Sequence, residues 1–138
     1  MVGWLLVACG QQSDPELLPV THLSVPQDCD VLAGCRVADE GMHLEVLFPV
    51  QPRALQPFPV TIQSVDATRL TAASVSFTMR GMSMGLNRYV LKSMSADKWE
   101  GEVTLPVCVS GRADWIAEFD IRFSDRSVAF SLPFVLQK

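Results

Sequence analysis

Met42, Leu44, Val46 and Phe48 occupy alternate positions of a run that stops at Pro49, with His43 and Glu45 between them. A period of two marks a strand with one buried face. Phe58, Val60 and Ile62 repeat it after the proline-rich link "PVQPRALQP", and Val75, Phe77 and Met79 repeat it against Ser74, Ser76, Thr78 and Arg80. A further strand is expected around Tyr89 to Met94. After the turn "SADK", Trp99, Val103 and Leu105 alternate with Glu100, Glu102 and Thr104 as far as Pro106. The cleanest signal is "DWIAEFDIRF", which sets Trp115, Ala117, Phe119, Ile121 and Phe123 against Glu118, Asp120 and Arg122. In the last run Val128, Phe130, Leu132 and Phe134 point inward, and Pro133 suits a sheet edge because it has no N–H for a ladder.

Seven short strands, frequent turn residues and no sustained helical period predict an all-β fold: a seven-stranded antiparallel immunoglobulin-like β-sandwich over residues 28–138. A small closed barrel is the alternative arrangement. At 138 residues the chain suits one domain with a core of its own. A net charge of -4 argues against nucleic acid as a partner, since phosphate recognition needs a basic face. No apolar run reaches the length of a membrane-spanning helix.

The first nine residues, "MVGWLLVAC", are apolar and end in Cys9-Gly10. They resemble the end of a bacterial lipoprotein signal in which Leu6-Val7-Ala8-Cys9 is the lipobox, although no Lys or Arg precedes the apolar run as in a complete signal. An apolar N-terminal strand with an ordinary cysteine is the competing reading. The resemblance implies cleavage before Cys9, lipid on its sulfur and anchorage to a membrane facing the bacterial periplasm. Residues 10–27 are then expected to form a flexible tether, polar and broken by Pro15 and Pro19.

Cysteine usage fits export. With Cys9 lipidated, Cys29, Cys35 and Cys108 remain, an odd set. Gly34 helps the chain turn back between Cys29 and Cys35, which makes a local disulfide the expected pairing. A Cys35–Cys108 bridge is the competing one. A zinc site on Cys29 and Cys35 lacks the second pair of ligands it would need.

The stretch "FTMRGMSMGLNRY" gathers Met79, Met82 and Met84 around Gly81. A bulge at Gly81 shifts the strand parity by one residue and lets all three face the same way. Thioethers are soft ligands for copper(I), and Cys108 would add a fourth sulfur if its loop comes close. Met42 and Met94 are weaker candidates. Methionine is also common core filler, and Cys108 is equally readable as an inert buried thiol. His22 and His43 are simplest as exposed residues, and Trp99, Trp115 and Tyr89 as core or rim aromatics. Catalysis has little support: nucleophile elbow, phosphate loop and zinc-protease motifs are all absent from the sequence, and a lone Cys108 with two distant histidines is a thin case for nucleophilic chemistry. Arg112 and Asp114 read as a local ion pair.

From Val46 onward, "FTMRGMSMG", the following Trp99 and "LPVCVSGRADW" resemble the YtkA-like family of small exported immunoglobulin-like domains. Many members of that family carry histidine where this chain has Leu86. Its absence weighs against copper(II) more than against copper(I), which accepts sulfur alone. The resemblance implies copper handling beside an oxidase-assembly or copper-transfer protein. The resulting expectation is a non-enzymatic, membrane-tethered periplasmic lipoprotein that binds or transfers copper(I) through Met79, Met82, Met84 and Cys108. A metal-free envelope interaction module is the alternative.

Overall fold

Where one face of a run is apolar, pairing with a neighbour satisfies the backbone while that face is buried, and the chain follows this rule almost throughout. The computed structural model describes residues 19–39, 41–65, 69–79, 87–107 and 111–137. They contain β1 (Val20–His22), β2 (Cys35–Asp39), β3 (Met42–Leu47), β4 (Phe58–Ser64), β5 (Ala72–Thr78), β6 (Arg88–Val90), β7 (Lys92–Ser93), β8 (Lys98–Val103), β9 (Asp114–Arg122) and β10 (Ser127–Val135). Two five-stranded sheets result, ordered β1-β10-β9-β5-β6 and β2-β3-β4-β8-β7. The fold is an all-β two-sheet sandwich.

Ten strands stand where seven were expected, for two reasons. β1 and β2 lie in stretches without a long alternating pattern. The run expected from Tyr89 to Met94 is split, because Val90 pairs with Ser74 in one sheet while Lys92 pairs with Glu100 in the other. Leu91 makes the crossing and is buried, its N–H donating to the Ala73 carbonyl at 2.9 Å. A Cβ on Gly101 would stand 2.5 Å from Leu91 Cδ2, so the missing side chain at 101 makes room for this crossing residue.

β1 also moves the start of the domain. Its three residues pair with Ser127, Val128 and Ala129 of β10, and they do so in parallel, the one exception to the antiparallel expectation among the described strands. Leu23 and Val25 then pack against the core. The later part of residues 10–27, expected as tether, is therefore folded.

Beyond Ala129, β10 is a sheet edge. Ser127 and Ala129 bond outward to Pro19 and Leu23, and Gln137 bonds outward to Pro52 and Ala54, so odd-numbered residues direct their backbone groups to this side. Pro133 falls at such a position, where an N–H would otherwise face solvent. That removes one pairing group from an open edge.

The core is continuous between the sheets. Trp115, Ala117, Phe119, Ile121 and Phe123 are all buried, as are Val128, Phe130, Leu132 and Phe134. Phe77 stands edge-on to Phe58, Phe134 and Tyr89 at centroid separations of 6.4, 5.8 and 6.0 Å. Phe48 meets Phe134 edge-on at 5.2 Å. Such tilted contacts suit the ring quadrupoles and join the two sheets through one aromatic layer.

Candidate functional site

The two ends of the sandwich differ. One, the turn end, carries the β2–β3 hairpin, the turn at residues 94–97 and the β9–β10 turn. There Arg126 lies 3.8 Å from Asp39 and over the Phe123 ring at 5.9 Å, linking one sheet to the other. The opposite loop end carries residues 48–57, the last residues of β5 and β8, the first residues of β6 and β9, and the segment between Cys29 and Cys35. These two cysteines are joined in a disulfide, Cα–Cα 5.0 Å.

Met79 belongs to the loop end. It follows Thr78, which pairs with Ile116, and it is buried, 1% exposed, in the common core. Trp115, next to Ile116 and opposite Phe134 on β10, is equally buried, and its indole Nε1–H meets no acceptor among the described residues. A lone buried donor is uncommon. An N–H offers no lone pair, so it adds nothing to a cation's ligand set.

Phe77 N–H donates to the Asn87 carbonyl at 3.0 Å, which brings the chain back to β5 where the link from Met79 ends. Tyr89 Oη donates to the Thr104 carbonyl at 2.6 Å, tying β6 to the start of the link that leads on to residue 108. Arg112 and Asp114, at the far side of that link, form a two-pronged pair with Nε–Oδ1 3.0 Å and Nη2–Oδ2 2.6 Å. Met82, Met84 and Cys108, the proposed Gly81 bulge and Cys9 lie outside the described residues.

Other sequence candidates go elsewhere. Met42 is buried at the turn end, and Met94, 61% exposed, lies in the turn before β8. Neither joins Met79. His22 is exposed on the edge strand β1, and His43 is exposed on β3 in the other sheet. Among the described residues no three His, Cys, Asp or Glu side chains gather in a metal-holding group.

Sequence reasoning missed the apolar surface of the loop end. Val50, Leu55, Val107 and Val135 are each at least half exposed, and Leu32 lines a groove of about 320 Å³ together with Cys29, Pro52 and Val135. Leu55 has φ 64°, a left-handed conformation that costs a residue with a side chain about 1 kcal/mol or more. Three backbone bonds hold it there: Ala54 N–H to Gln137 O at 2.8 Å, Leu55 N–H to Leu105 O at 2.8 Å and Gln56 N–H to Arg53 O at 3.3 Å. The available signal was "RALQ", a leucine between prolines that belongs to no alternating run. No family model matches the chain, and neither does any curated protein.

Proposed function

We propose that this chain is a non-enzymatic, membrane-tethered periplasmic lipoprotein of the YtkA-like kind, which binds copper(I) as cargo and passes it to an oxidase-assembly or copper-transfer protein. Membership of that family rests on the residues of the methionine stretch. The sheet order, with β1 running parallel beside β10 and a strand that changes sheets at Leu91, supports an immunoglobulin-like topology for the sandwich. What supports the copper reading is where the described strands end. The link bearing Met82 and Met84 leaves from Met79 and returns at Asn87, and the link bearing Cys108 starts beside Tyr89, so both open from one end. Sulfur donors suit a soft cation, and Met79 is a neutral thioether in apolar surroundings.

Anaerobic titration with copper(I) against a chelator tests it. The wild-type chain is expected to take up copper(I) in preference to zinc. Met82→Leu/Met84→Leu should reduce that affinity sharply while costing less than about 1.5 kcal/mol of stability per substitution. Unchanged affinity would make the methionines core filler.

The second reading, a metal-free envelope interaction module, is favoured by the exposed apolar residues of the same end. Its signature would be the absence of stoichiometric copper uptake by a correctly folded chain.

A further inference from the structure

We infer that Trp115 forms one wall of the copper(I) site, with its indole face against the bound cation beside Met79. The inference rests on the copper(I) reading and adds to it a residue of a different chemical kind. Position, charge and an orphaned donor carry it.

Position comes from the sheet. Thr78 of β5 pairs with Ile116 of β9, and one step further in the same antiparallel register Met79 comes level with Trp115. Residues that stand opposite each other in this way have Cβ atoms roughly 5 Å apart. Both side chains are 1% exposed in the common core, and Phe134 pairs with Trp115 from the other side. A thioether and an indole are thus neighbours on the inner face of one sheet, at the point where β5 leads into the methionine stretch.

Charge decides what the neighbour of Met79 must supply. Thioethers are neutral, so copper(I) held by them keeps its positive charge. Among the described residues no acidic side chain is buried, and Asp114, next to Trp115, is exposed and engaged by Arg112. A cation in apolar surroundings is unstable unless something offsets its charge. The negative face of an aromatic ring does so without bringing a second charge into the core, and indole does it best among the aromatic side chains. The orphaned donor points the same way. Trp115 Nε1–H has no acceptor among the described residues, and phenylalanine, which fills the core at 77, 119 and 134, would have no such group to leave unpaired. As core filling alone, tryptophan is the worse choice at this position, whereas a task for the indole face accounts for it.

The test titrates the full-length chain in detergent with silver(I), a soft cation of the same charge that needs no anaerobic handling. Uptake is measured by equilibrium dialysis and the indole band by near-ultraviolet absorption. Wild type is expected to take up silver(I) with a red shift of the indole band that grows in step with uptake. Trp115→Phe should lose that shift and bind silver(I) roughly 2- to 30-fold more weakly. Trp4 and Trp99 are unchanged in the variant, so the difference between the two spectra belongs to position 115. Uptake by wild type with an unchanged indole band would overturn the inference and leave the copper(I) reading standing, and so would equal affinity in Trp115→Phe. No uptake by folded wild type would overturn both. The wild-type spectrum needs no variant, so the test survives a Trp115→Phe chain that folds poorly.

Discussion

Gly41 and Leu55 share a positive φ, 71° and 64°, at opposite ends of the sandwich. At the turn end the hairpin between β2 and β3 uses glycine, the residue that enters the left-handed region without a steric penalty. A Cβ at position 41 would meet nothing within 4 Å, so backbone conformation alone favours glycine there. At the loop end the same conformation is imposed on an exposed leucine. The turn end follows local propensity, and the loop end departs from it at a residue whose side chain has no role in the core. Local rules are most often broken where a surface serves something other than folding.

The loop end tolerates this because of what lies beneath it. Phe77 touches Phe58, Phe134 and Tyr89, and Phe48 closes against Phe58 and Phe134, so one aromatic layer lies beneath the 48–57 loop and beside the start of β6. The largest expected effect is therefore Phe77→Ala. A buried phenylalanine reduced to alanine costs about 3–5 kcal/mol when the cavity does not collapse, read as a fall in the urea midpoint at an unchanged slope. A loss under about 1 kcal/mol would mean that the layer yields easily, and the contrast between a firm support and a strained surface would go with it.

Much of the fold was legible because period-two burial is written into single residues. Every inward position expected in β9 and β10 is buried, and so are those of β3, β4 and β5. Legibility failed where the signal is not periodic. β1 is three exposed residues whose place depends on a partner more than one hundred positions away in the chain. The sheet change at Leu91 depends on the absence of a side chain at Gly101, on a strand that does not adjoin it in sequence. Ser74 and Thr61 are buried although both fall on polar positions, Thr61 with its hydroxyl donating to the Leu47 carbonyl at 2.9 Å. For the candidate site, composition marked the methionine stretch. The alternation of Val75, Phe77 and Met79 put Met79 inward, where it is buried, but nothing periodic marked Met94 as exposed at the other end. Those roles follow from strand position and turn geometry rather than from residue type.

The comparison sharpens with Gly41→Leu, which places at the turn end the residue that the loop end carries. A Cβ there meets nothing within 4 Å, so the expected cost is that of the left-handed backbone, about 1 kcal/mol of destabilisation by denaturant unfolding. A neutral result would show that φ near 70° is inexpensive in this fold, and the argument from strain at Leu55 would lose its force.

The smallest effect has the opposite sign. Leu55→Gly removes the left-handed penalty and an exposed apolar side chain, and leaves the bonds from Ala54, Leu55 and Gln56 in place because all three are made by the backbone. Against this gain stands the greater freedom of glycine in the unfolded chain, which is worth about 0.4–1 kcal/mol. Since the strain relieved is about 1–2 kcal/mol, the variant should be more stable than wild type by roughly 0.5 kcal/mol. Differential scanning calorimetry should therefore place its Tm slightly higher. A lower Tm would mean that Leu55 stabilises the folded chain through its own contacts, and its exposure would no longer point to a partner.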